Sequence, residues 1–343
     1  MHDSARSAFT RVAAVAGAVH EAMRRRSTVL GRLSGEAIRG VVCGYARLEL
    51  PRCVGLVEAS IQKIPTAWPR EGVRECRGVW HGYRLRLDLS DYFQCCGYFL
   101  RRYHDGPLQW LIERAVHRGD TVLDAGSNNG LVAMYAAWRV GAGGLVHAFE
   151  PNPRMIEQIR WHVTTNGLSQ VRVHECGLSD GEDEMELRIP GQDNYGAGTF
   201  APVPQRYWGA VRETLRARVV RADDLGLEVR GALVVKLDVE GFEMRALEGM
   251  RGLIERHRPL VISEVNEEML AQAGSSGREL VGWMTGRGYR AYSFITRRAV
   301  VRQRKLVLTE VHAGAERYPL DVVFVHPQTV FWGRLGPFES GGG

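Results

Sequence analysis

The chain has 343 residues, 45% hydrophobic and 24% charged, enough for one large globular domain plus an accessory region. Its formal charge of +6 comes from arginines scattered along the whole chain rather than gathered in one block, which disfavours a nucleic-acid partner. Six cysteines (Cys43, Cys53, Cys76, Cys95, Cys96, Cys176) form no Cys-x-x-Cys pair and have no histidines at ligand spacing, so no zinc site or disulfide framework is indicated and a reducing cytoplasm suits the chain best.

Residues 1 to about 65 place alanine, valine and leucine at spacings of amphipathic helices, with interruptions expected at Gly31, Gly35, Gly40, Gly44 and Pro51. Val12 to Val19 is too short for a membrane span and lacks a cleavage signal, so it is read as a helix face. Arg24-Arg25-Arg26 is read as a solvated helix end rather than a contact for an acidic partner or lipid surface. Between Val79 and Leu89, the residues Trp80, Tyr83, Leu85, Leu87 and Leu89 alternate with polar ones as in a half-buried strand. Residues 1–95 thus form a mainly helical accessory region expected to cap a site, select an acceptor or support a homodimer.

From residue 96 to 335 strand and helix signals alternate. Pro107 to His117, Leu131 to Trp138, Met155 to Asn166 and Met244 to Arg256 read as helices; Thr121 to Leu123, Leu145 to Phe149, Val171 to Cys176, Leu233 to Leu237 and Leu260 to Ser263 read as strands. This alternation predicts an α/β fold with a doubly wound, mostly parallel sheet, whose ligands lie beyond the carboxyl ends of the strands. The basic residues Arg297, Arg298, Arg302, Arg304 and Lys305 decorate a late hairpin, and 336–343 form a flexible glycine-rich tail.

Between the first of these strands and its helix stands Asp124-Ala125-Gly126-Ser127-Asn128-Asn129-Gly130. Two glycines there allow close backbone approach by a ligand, although a tight strand-to-helix turn alone would explain them. The next strand ends in Glu150, 20 residues beyond Gly130. Such a carboxylate accepts protons from two ribose hydroxyls unless it is simply a solvated loop residue. The Gly-x-Gly-x-x-Gly fingerprint of a pyrophosphate site is missing, which argues against a nicotinamide cofactor.

Asp124 to Gly130, Phe149-Glu150-Pro151-Asn152-Pro153, and Lys236-Leu237-Asp238-Val239-Glu240-Gly241 with Glu243 together resemble the successive signatures of FkbM-type methyltransferases. Leu178-Ser179-Asp180 and Ala222-Asp223-Asp224-Leu225 fit the same series, over residues 100 to about 326; Ser127, where the family more often has alanine, departs from it. The resemblance implies a seven-stranded class I methyltransferase sheet, S-adenosylmethionine (SAM) as methyl donor, and O-methylation of a hydroxyl on a sugar, polyketide or other specialised metabolite. It further implies that Asp124, Gly126, Ser127, Asn128, Asn129, Gly130 and Asp238 shape the cofactor pocket. Glu150 would hold the ribose, and Cys176-Gly177-Leu178 would flank adenine, unless Cys176 only fills the core.

Methyl transfer from a sulfonium needs an aligned acceptor and, for a hydroxyl, a base. Lys236, Asp238 and Glu240 point to one side if the strand stays extended, and Glu264 converges on the same rim. The alternative is a Lys236 ion pair with Asp238 or Glu240 that fixes the loop. His104 is a further base candidate and Tyr103 a substrate contact. Asp238, Glu240 and Glu264 offer oxygen ligands of the kind Mg²⁺ takes, an alternative that is not favoured. Gly191 to Trp208 is read as a lid or acceptor wall carrying Asn194, Tyr195 and Trp208, or else as a surface excursion. N-methylation of a peptide or amide side chain, and a module that binds SAM or nucleic acid without turnover, are the competing functions.

Overall fold

The computed structural model describes residues 2–48, 53–191, 194–202, 211–300, 303–312 and 314–338. The chain divides into two compact units, 1–106 with 298–304 and 107–297 with 305–343, so the division falls later than residue 95.

In the first unit, α1 (His2–Arg26), α2 (Thr28–Arg47) and α3 (Cys53–Lys63) come before β1 (Val73–Arg77), β2 (Arg84–Asp88) and α4 (Tyr92–Leu100). Ser27 separates α1 from α2, its Oγ accepting the Val29 N–H at 3.2 Å as an N-cap. Against expectation, α2 runs unbroken through Gly31, Gly35, Gly40 and Gly44. Gly31 serves packing instead: a Cβ there would stand 2.9 Å from the Arg24 Cα of α1. Pro51 lies outside the described residues. The expected strand over 79–89 is shorter, and it pairs antiparallel with the unforeseen β1 because Val79 to His81 turn the chain back. Val57, Ile61, Ile64, Trp68 and Cys95 form the core of this unit.

The second unit opens with α5 (Gly106–Ala115), β3 (Thr121–Ala125), α6 (Leu131–Val140), β4 (Leu145–Phe149), α7 (Pro153–Thr165) and β5 (Val171–His174). A small sheet follows, β6 (Gly177–Leu178), β7 (Asp183–Pro190) and β8 (Val211–Val220), in the order β6-β8-β7. The chain then returns to the main sheet through β9 (Leu233–Leu237), α8 (Glu243–Gly249), α9 (Arg251–His257), β10 (Leu260–Glu264), α10 (Glu267–Gln272), α11 (Gly277–Thr285), β11 (Arg290–Val300), β12 (Gln303–Val311), β13 (Asp321–Val325) and α12 (Val330–Leu335).

The main sheet has the order β12-β11-β13-β10-β9-β3-β4-β5. Strands β5, β4, β3, β9 and β10 are parallel, and β13 is antiparallel to both its neighbours. The doubly wound class I arrangement is therefore present, with β12 as an eighth strand at the edge. Every residue of β3, β4 and β9 is buried, as parallel strands covered on both faces require. From β3 the chain winds outward to β4 and β5 and then starts again on the other side at β9. The carboxyl ends of β3 and β9 thus form a topological switch point, where such sheets bind ligands.

Candidate active site

At the switch point the strand register sets Asp124 of β3 beside Lys236 of β9. Asp124 is 0% exposed and neither of its carboxylate oxygens accepts a hydrogen bond. Burial pushes its carboxyl up, and the Lys236 ammonium at 3.4 Å pulls it back. Lys236 also donates to the Gly126 carbonyl at 2.9 Å and pairs with Asp238 at 3.2 Å. Its ammonium is thereby committed to the walls of the site, and the contact with Asp238 is the ion pair that the sequence offered as the alternative to a catalytic role. It is a positioning residue that ties the turn after β3 to the exit of β9.

The turn itself is held from behind by β4: Gly126 and Ser127 both donate their N–H to the Phe149 carbonyl, at 3.1 and 2.9 Å. Gly126 has φ +73°, and a Cβ there would lie 1.8 Å from the Asp238 carbonyl oxygen, so only glycine fits. Ser127 donates its hydroxyl to the Asp124 carbonyl at 2.8 Å, a contact that alanine would lack. The Asn129 side chain accepts from Leu131 N at 3.2 Å, leading through Gly130 into α6. Asn128 takes a left-handed conformation (φ +50°), and its Oδ1 is buried without a partner. Its N–H donates to Glu150 at 2.7 Å, while the other Glu150 oxygen accepts from Asn152 N at 2.9 Å. Burial pushes the Glu150 carboxyl up to about 7 against these bonds.

Extended geometry stops at Leu237, and Glu240 sits at φ +52°, so Lys236, Asp238 and Glu240 do not share a strand face as expected. Asp238, Glu240 and Glu264 nevertheless come within electrostatic reach of one another, with Glu243 as a member that sequence reasoning left without a role. Burial, then Asp238 and Glu243, push the Glu240 carboxyl up to about 8. Glu264 stands well above the usual carboxylate range through burial and the charges of Asp238, Glu240, Glu243 and Asp321, and its Oε2 has no partner. Glu243 accepts from Val239 N at 3.0 Å and Gly241 N at 3.3 Å, which shapes the loop. Its identity as a carboxylate two residues past a glycine was the available signal.

Residues 194–202 reach the same ground. Asn152 Nδ2 donates to the Tyr195 carbonyl at 3.0 Å, and Thr199 donates its hydroxyl to the Glu240 carbonyl at 2.6 Å. Asn194 is half-buried beside Tyr195, whose ring has the Arg154 and Arg212 guanidiniums each 4.5 Å from its centroid. Trp208 lies outside the described residues. Cys176 and Leu178 turn into the core, where burial pushes the Cys176 thiol up to about 11, and Gly177 packs against the Phe200 ring. Tyr103 and His104 belong to the other unit, with the His104 ring 4.5 Å from Tyr103 and 4.8 Å from Phe93.

The residues present fit SAM. The Gly126 turn leaves a main-chain wall without side chains, Asn128 offers an orphaned acceptor, and each Glu150 oxygen keeps a lone pair for a ribose hydroxyl. Among the described residues no group of three His, Cys, Asp or Glu side chains is arranged to hold a metal ion, and no helix is long and apolar enough to cross a membrane.

The methyltransferase FkbM domain matches residues 124–291. An arginine N(omega)-methyltransferase of Streptomyces achromogenes subsp. streptozoticus is 45% identical over 96 residues, which cover 25% of this chain and 26% of that relative's length. Solved structures that align at low identity include the following two. The methyltransferase FkbM of Methylobacillus flagellatus KT shares 17% identity over 60% of this chain and 43% of its own, with a TM-score of 0.35. A SAM-dependent methyltransferase of Aquifex aeolicus shares 16% over 55% of this chain and 82% of its own, with a TM-score of 0.31.

Proposed function

Residues 124–291 belong to the methyltransferase FkbM family, and from that membership we propose that the protein transfers a methyl group from SAM to a nitrogen of a guanidine-bearing small molecule. The observation that carries the acceptor class is the carboxylate rim. Glu240 and Glu264 are raised partly by the charges of their acidic neighbours, and Lys236 is already committed elsewhere. A cationic acceptor relieves that repulsion, and a planar guanidinium engages two carboxylates at once. The relative that shares a 96-residue segment at 45% identity is named for arginine N-methylation, which supports the same class.

Bound SAM supplies an electrophilic methyl group. Gly126 and Asn128 would face its methionine part, Glu150 its ribose, and Lys236 keeps the Gly126 turn and Asp238 in register. A guanidinium is not nucleophilic until it loses a proton, and Glu240, whose charged form a bound guanidinium favours over the protonated form that burial favours, is placed to take that proton as the methyl is transferred. Glu264 and Asp238 then balance the charge that remains.

A hydroxyl acceptor, as in O-methylation of a sugar or polyketide-like metabolite, is the second reading. The same raised Glu240 favours it, since hydroxyl methylation also needs a base. Incubation with SAM plus either arginine and simple guanidines or hydroxylated metabolites, with mass detection of one added methyl, separates the two. Methylation confined to guanidines is the expected outcome. Methylation confined to hydroxyls would replace the first reading with the second, and absence of SAM binding at millimolar concentration would remove both.

A further inference from the structure

The N-terminal unit contains a cavity of about 470 Å³ that the methyl-transfer chemistry does not use. Its size falls in the range of small-molecule sites, roughly 300–1,000 Å³. Arg24 and Arg32 from α1 and α2, Arg39 from α2 and Arg74 from β1 line it, with Glu36 as the one carboxylate in the lining. Four guanidiniums against one carboxylate leave the cavity net positive. Arg24 shares its charge with Glu21 at 2.9 Å and Arg32 with Glu36 at 3.3 Å. Arg39 donates to the Ala67 carbonyl, and Arg74 enters no ion pair among the described residues.

Two polar side chains in the wall are buried and incomplete. Trp68 is 4% exposed, and its indole N–H, which can only donate, has no acceptor. His20 is 2% exposed; its Nδ1 meets Ser34 Oγ at 2.7 Å while Nε2 has no partner. Because Ser34 gives its own proton to the Gly31 carbonyl at 3.0 Å, Nδ1 is the donor in that contact. Nε2 is then the ring nitrogen left without a partner. Buried groups of this kind are normally satisfied, so their pairing here with an arginine lining calls for an oxyanion.

We propose that this cavity binds a phosphate-bearing small molecule, giving the protein a second ligand site within its N-terminal unit. Planar guanidinium forks and an indole donor match the several acceptor oxygens of a phosphate better than the two of a single carboxylate.

The test is a calorimetric titration of the full chain with pyrophosphate, in the presence of saturating demethylated cofactor so that the methyltransferase site is occupied. One saturable, salt-sensitive site is expected. Arg74→Gln, at an exposed strand position, should weaken it about tenfold or more while leaving cofactor binding and the circular dichroism spectrum unchanged. Trp68→Phe, which keeps the aromatic packing and removes only the donor, should weaken it as well. No saturable binding at millimolar pyrophosphate, or binding that both variants retain in full, would overturn the site; citrate binding as tightly as pyrophosphate would overturn the phosphate assignment.

Discussion

Asp124 and Lys236 face each other as register partners on buried parallel strands, whereas Glu21 and Arg24 meet on one turn of an exposed helix. Both are ion pairs on paper, yet they belong to different physical regimes. The strand pair cannot dissolve into solvent: the sheet fixes both backbones, water is excluded, and the buried Asp124 carboxyl depends on Lys236. The helix pair can dissolve into solvent at little cost. The difference explains why the carboxyls around the switch point are displaced upward, while the arginine-lined cavity keeps guanidiniums that a ligand can recruit.

The sharpest way to break the comparison is Lys236→Met. It leaves Asp124 buried without its cation, and removing one partner of a buried pair typically costs about 3–5 kcal/mol. Urea denaturation at pH 8 should show a loss of that order. The loss should shrink at pH 5, because the Asp124 carboxyl, already raised by burial, can then bind a proton instead. A loss below about 1 kcal/mol at pH 8 would mean that the strand pair behaves like a surface pair.

Glu240→Gln comes next. If Glu240 takes the acceptor proton, turnover should fall about 100-fold or more, while affinity for SAM measured by calorimetry stays unchanged. Full turnover in this variant would remove Glu240 from the chemistry and leave Asp238 or Glu264 as the base.

How much of this was legible differs between the two regions for reasons of period and range. Strands β4 and β9 begin and end where their apolar runs do, because strands buried on both faces carry a hydrophobic signal, broken here only by His147 and Lys236. The β7–β8 pair went unread although Met185, Leu187 and Ile189 alternate against Leu215, Ala217 and Val219. One face of that pair is so rich in Arg and Glu that the segments resemble solvated loops. The Gly126 turn and Glu150 stood out because each directly follows an apolar strand, β3 and β4. The shared face of Lys236, Asp238 and Glu240 does not form because the strand ends at Leu237 and Glu240 turns to φ +52°. The arginine-lined cavity left only the Arg24-Arg25-Arg26 cluster as a local mark, which reads equally as a solvated helix end, since its walls come from α1, α2, the segment after α3, and β1.

The pH dependence of stability should follow the buried carboxyls. Glu150 and Glu243 are pushed up to about 7 and Glu240 to about 8, from an ordinary value of 4.5. Each folded value lies above the unfolded one, so the stability these groups contribute is fully present below 4.5 and is lost as pH rises through 7 to 8. Wild-type stability should therefore decline across that window, by an amount on the order of a few kcal/mol. Glu240→Gln should flatten the upper part of the decline. Stability that is constant or rising from pH 5 to about 8 would contradict the burial that sets these values.

The smallest effect tests the other member of the comparison. Glu21 is half-buried at the helix surface, and its Arg24 bond holds its carboxyl down at about 2. In solvent such a shift reports local geometry rather than stability, because water and salt screen the pair. Glu21→Gln should thus leave the denaturation midpoint unmoved within error. It also frees Arg24 from its competing anion, so pyrophosphate affinity should tighten by about twofold to threefold. A variant that loses stability as Lys236→Met does would place the helix pair in the buried regime. One that keeps its stability but binds pyrophosphate no more tightly would show that Arg24 contributes nothing to the cavity's attraction for anions.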